Sequence, residues 1–180
     1  MGPKAAVKIL RSGRRLDGAA VEGTLVLRDV AEPAFHAVID LPVTIVDTVL
    51  DKLDAGFIEF RAPVTLERVT VAGSCLLHSC FFLAGFSAVD CRFKRGADVR
   101  WGGHNKDGHA FRLERCEFDE FVDFEDEWFQ GPVEIRGCSF RGGSNLLGNQ
   151  GQPFVVSFDV PPVIESNIGD LDLDRSPVAG

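Results

Sequence analysis

At 180 residues the chain can bury a sizeable core as one domain, and its balance of 45% hydrophobic and 26% charged residues is that of a globular protein. A net charge of −8 argues against non-specific binding to nucleic acid or an anionic membrane, and leaves room for a basic partner. The same charge also serves solubility. Fifteen Phe with no Tyr, together with 19 Gly, depart from ordinary usage, and the phenylalanines recur in the pattern below.

Residues 1–19 form an N-terminal segment that opens MGPKAAVKILRSGRR. It is positively charged but lacks the apolar core of a secretory signal. Met1-Gly2 is followed by Ala6 where a myristoylation signal needs Ser or Thr. No run approaches the ~18 apolar residues of a membrane span. The five cysteines are odd in number and lack metal-site spacing, so the expected setting is a reducing cytoplasm.

VEGTLVLRDV (21–30) and LPVTIVDTVL (41–50) carry short apolar alternations that predict the first coils of a β-solenoid over 20–149. A short helix competes at 46–53, because Val46, Val49, Leu50 and Leu53 also follow i, i+3, i+4, i+7 spacing. From residue 61 the chain divides into blocks of eleven: RAPVTLERVTV, AGSCLLHSCFF, LAGFSAVDCRF and KRGADVRWGGH. After an insertion at Asn105, Lys106 and Asp107 come GHAFRLERCEF, DEFVDFEDEWF and QGPVEIRGCSF. Positions 4, 6, 9 and 11 are mostly apolar, and position 11 carries Val71, Phe82, Phe93, His104, Phe118, Phe129 and Phe140. Such self-similarity is a repeat signal.

Apolar residues two apart lie on one face of an extended strand, so each pair, such as Val64 and Leu66, marks a short strand pointing inward. A corner after every pair describes a chain winding round a solenoid. Four faces make two blocks, about 22 residues per coil, with coils stacked at the ~4.8 Å strand spacing. Residues 150–180 add one strand, within GQPFVVSFDVPP, and a polar tail.

The units VTLER, CLLHS, CRFKR, FRLER, CEFDE, VDFED, VEIRG and CSFRG resemble the pentapeptide-repeat family over roughly residues 60–147. The family's Asp or Asn between the inward pair stands at Asp98 and Asp123, and an extra residue after alternate units departs from a strict period of five. The resemblance implies a right-handed quadrilateral parallel β-helix that is often dimeric. Some members mimic the shape and charge of DNA and bind type II topoisomerases.

Cys75, Cys80, Cys91, Cys116 and Cys138 fall at small inward positions as apolar fillers, with Cys91, Cys116 and Cys138 in one column. HNKDGH (104–109) groups two His and an Asp, which are metal-ligand types, but reads better as a polar corner loop. No cofactor-binding motif is present. The acidic run from Glu114 to Glu127 reads as a solvated face, or as paired carboxylates of a carbohydrate-active enzyme. Glu127 falls on an inward position, so it either pairs with His104 one coil below or is turned outward by a bulge, the preferred solution. Phe81, Trp101 and Trp128 fall on outward positions of one side, flanked by Glu125 and Asp126. Exposed aromatics of this kind mark a partner or dimer surface. The expected function is a non-enzymatic interaction or scaffold module that takes a protein partner.

Overall fold

The computed structural model describes residues 1–32, 37–102 and 104–174. The repeat has no counterpart in the first fifteen residues, and these fold as a helix, α1 (Pro3–Arg11). Proline suits the first helical turn, where its missing N–H is no loss, and Lys8 and Arg11 sit in the last turn, at the negative end of the helix dipole. Ala6, Val7 and Leu10 form its buried stripe, which packs on the first coil. No helix among the described residues is long and apolar enough to cross a membrane.

Beyond α1 the chain is a parallel β-solenoid with a step of about 22 residues per coil. The first face stacks seven strands: Leu16–Asp17, Val43–Val46, Val64–Glu67, Phe86–Val89, Phe111–Glu114, Val133–Arg136 and Val163–Glu165. The second stacks Thr70–Val71, Arg92–Phe93, Glu117–Phe118 and Ser139–Phe140. The third stacks Cys75–Leu76, Ala97–Asp98 and Val122–Asp123; Val49–Asp54 runs into both of these faces and itself pairs with Ala20–Val26 of the first coil. On the fourth lie Ala37–Ile39, Ile58–Phe60 and Phe81–Phe82, followed by Trp128–Phe129 and Ser157–Phe158. The stack therefore starts at Leu16 and still holds Val163–Glu165 in register with Glu134, Ile135 and Arg136.

Residues 46–53 are extended on either side of a corner at Asp47 (φ 47°), with no helix. The β-branched run VTIV favours that outcome, because its side chains pack well on a pleated surface.

The interior is built of stacked rings. Phe93, Phe118 and Phe140 lie nearly parallel, with centroids 4.8 and 5.0 Å apart. Across the solenoid, Phe60 stacks on Phe82 at 5.3 Å and Phe129 on Phe158 at 5.6 Å. Odd and even blocks thus feed opposite columns, as the eleven-residue register requires.

The fourth-face column is interrupted, and here the sequence reading needs correction. His104 N–H donates to the Trp128 carbonyl (2.8 Å), and its ring packs against those of Phe81 and Trp128 on the outer side of the face. Asn105, fully buried, occupies the inward place instead. Its Nδ2 donates to the carbonyls of His109 (2.9 Å) and Pro132 (2.8 Å), and its Oδ1 accepts from Gly131 N–H (3.1 Å). A buried amide with both ends satisfied carries no large desolvation penalty. It also fastens the base of the inserted loop.

All five cysteines are buried free thiols. Burial pushes the Cys75 and Cys80 thiols above their ordinary pKa. Alkylation of the denatured, unreduced protein should label all five, whereas the native protein should react slowly. A mass showing any Cys–Cys bridge would overturn the assignment of these thiols as core fillers.

Candidate interaction face

Two columns of corners turn through left-handed backbone. At the corner between the third and fourth faces the residues are Phe57, Ser79, Trp101 and Asp126, with φ of 61°, 54°, 64° and 56°. Ser and Asp suit such turns, while Phe and Trp are costly there. Nothing in the turn itself asks for a large ring. The ladder bonds hold the geometry across the corner: Phe57 N–H donates to the His78 carbonyl, Ser79 N–H to Arg100, and Trp101 N–H to Glu125.

Trp101 remains 46% exposed and Phe57 53%. The His78 ring packs edge-on to both, at 5.1 Å from Phe57 and 6.3 Å from Trp101. His78 lies against Gly56, where a Cβ would come within 2.8 Å of its Nε2. The Arg100 guanidinium sits 4.4 Å from the Trp101 ring centroid, in the range of a cation–π contact. That guanidinium is itself held by Asp98 through two hydrogen bonds of 2.9 and 3.0 Å, which raise the Arg100 pKa. Trp101 is thus an exposed ring on a fixed support.

A second aromatic ladder runs up the fourth face beside this corner. Phe81 packs on His104 at 4.8 Å, and His104 on Trp128 at 5.2 Å. Trp128 is 43% exposed, and its Nε1–H donates to Asp159 Oδ1 (2.9 Å) of the last coil. The structure therefore joins Phe81 and Trp128 through His104 and leaves Trp101 in the neighbouring corner column. Asp126 is exposed on that same corner, while Glu125 is buried and its N–H donates to Asp123 Oδ1 (3.1 Å).

Glu127 is the second correction. It points inward and is 1% exposed; it neither pairs with His104 nor bulges outward. Its Oε1 accepts from Gly102 N–H (2.7 Å), and Oε2 has no hydrogen-bond partner among the described residues. Gly102 makes this possible, since a Cβ there would stand 2.4 Å from the Cys80 carbonyl oxygen. Burial pushes the Glu127 carboxyl well above its ordinary pKa, which favours its protonated form beneath the aromatic face.

No protein-family model, curated protein or solved structure matches this chain. The chemistry of the surface must then speak for itself. In the inserted loop Lys106, Asp107 and His109 are exposed, and among the described residues no three His, Cys, Asp or Glu side chains group as a metal ion would need. The acidic run is interleaved with arginines: Arg115 holds Asp90 at 2.7 and 3.0 Å, Arg92 and Arg141 share Asp119 at 3.0 Å, and Arg95 meets Glu120 at 3.1 Å. The first corner alternates Asp47, Arg68, Asp90 and Arg115 up the stack, and the Arg68 guanidinium holds Asp47 below the ordinary carboxylate range.

Sequence reasoning missed Phe57 and His78, and placed His104 on an inward position. Reading one block further back, as LDKLDAGFIEF (50–60), puts Phe57 on the same outward corner position as Trp101. His104 was hidden by the insertion, which shifts the register by one residue.

Proposed function

We propose that this protein is a non-enzymatic interaction module of the pentapeptide-repeat type, acting in the cytoplasm. Its rigid solenoid presents an aromatic face to a protein partner. The observation that carries this reading is the pair of adjoining ladders, Phe57–His78–Trp101 and Phe81–His104–Trp128, in which two tryptophans stay nearly half exposed. Large rings on an immobile support lose little conformational entropy on binding and are the commonest anchors of protein interfaces. The neighbouring Asp126 favours a partner with basic groups at the rim.

DNA mimicry toward a topoisomerase is the alternative within binding. The alternation of arginines with acids along the coils counts against it, because a mimic needs a continuous anionic stripe. For a carbohydrate-active enzyme, carboxylates should be poised toward a cleft. Asp98 is instead engaged by Arg100, and Asp123 Oδ1 accepts from Asn145 Nδ2 at 2.7 Å.

Trp101→Ala and Trp128→Ala, each shown to keep the wild-type melting transition, should lower capture of the partner from a lysate of the source cells by tenfold or more, on the order of a single interface hot spot. Unchanged capture by both variants would remove the aromatic face from the reading. Capture of a topoisomerase that fades with salt would favour mimicry, and glycan turnover would favour an enzyme.

A further inference from the structure

The two ends of the solenoid differ in charge and in cover. Residues 1–15 hold Lys4, Lys8, Arg11, Arg14 and Arg15 and no acidic residue. Helix α1 lays its apolar stripe on the first coil, so Lys4, Lys8 and Arg11 face away from the core. Between α1 and the turn Leu27–Val30 lies a cleft of about 720 Å³ lined by the cations Lys4, Lys8, Arg11 and Arg28, which outnumber the acids Asp29 and Glu32. Residues 142–174 hold Asp159, Glu165, Asp170, Asp172 and Asp174 and no basic residue.

The C-terminal end is a completed coil. Ser157–Phe158 pairs with Trp128–Phe129, Val163–Glu165 with the strand before it, Ile168 bridges Ser139, and the Asp170 and Leu171 carbonyls accept from Ser144 and Leu147 N–H. Its outer edge carries Ile168, 71% exposed, with Val160 and Leu173 also exposed. Exposed apolar residues set beside the carboxylates of Asp170 and Asp172 suit the docking of another chain.

We propose that copies of this chain associate head to tail, the acidic last coil of one seating on the basic α1 end of the next. The two surfaces complement each other in charge, and Asp170 and Asp172 meet the cations around the α1 cleft. The contact is heterologous: its two patches are different surfaces, so repetition builds a linear chain of copies rather than a closed pair. It is independent of the aromatic face, which lies along the side of the solenoid.

Sedimentation velocity over a concentration series tests this on the full chain. The wild type should self-associate at roughly 20 mM salt and weaken about tenfold or more by roughly 300 mM, as screening shortens the reach of exposed charges. Lys4→Glu/Lys8→Glu and Asp170→Lys/Asp172→Lys should each be monomeric and keep the wild-type melting transition. Mixed one to one they should associate again, because each pairing of ends is then opposite in charge. Trp101→Ala should self-associate like the wild type. A wild type that is monomeric throughout overturns the proposal. So does a dimer indifferent to salt and to both reversals, or a mixture that stays monomeric.

Discussion

Replacing Phe118 with Ala should lower the unfolding free energy by about 3–5 kcal/mol, the range for deleting a buried ring. Phe118 is 2% exposed, and its ring is sandwiched between Phe93 at 4.8 Å and Phe140 at 5.0 Å. Removing it opens a void that neither neighbour can fill, because each coil is fixed by its own ladder. Arg112→Ala, exposed on the first face, should change stability by less than about 0.5 kcal/mol. Urea unfolding of the two variants side by side reads the difference. A loss below about 1 kcal/mol for Phe118→Ala is incompatible with a stacked interior column.

Glu127 should make stability depend on pH in a direction opposite to that of most carboxylates. Burial raises its pKa in the fold above the ordinary value of 4.5. Below that ordinary value both folded and unfolded chains hold the proton, and the group imposes no penalty. As the pH rises further the unfolded chain releases the proton while the folded one keeps it. Stability then falls by about 1.4 kcal/mol per pH unit until the raised pKa is reached. Glu127→Gln keeps the acceptor for Gly102 N–H and cannot ionise, so it should remove this slope and be the more stable protein at neutral pH. Urea midpoints from pH 4 upward make the comparison. An unchanged slope, or a variant less stable at neutral pH, would mean that the carboxyl is ionised and paired.

The fold was legible because the corners recur at a fixed interval. Inward pairs such as Val64 with Leu66 and Phe111 with Leu113 follow from alternation alone, and the phenylalanines mark which column each block joins. Legibility failed where a backbone group supplies the answer. Asn105 can sit in an aromatic column because three peptide groups satisfy its amide, and Glu127 can sit inward because Gly102 offers an N–H. Neither partner leaves a mark in a pattern of side chains. Helix α1 escaped for another reason, since a coil end needs a cover of any shape and the repeat does not extend to it. Of the candidate surface, Phe81, Trp101, Asp126 and Trp128 were readable from register. Glu125 was not, because its burial depends on how tightly the following coil closes over the corner.

The most direct test is photo-crosslinking in lysate, with a benzophenone side chain placed at Phe81 or Trp128 and, as control, at Arg112 on the first face. A protein-bound aromatic face predicts one discrete protein adduct from both ladder positions and none from Arg112. Equal adducts from all three positions, or none from either ladder position, would contradict it.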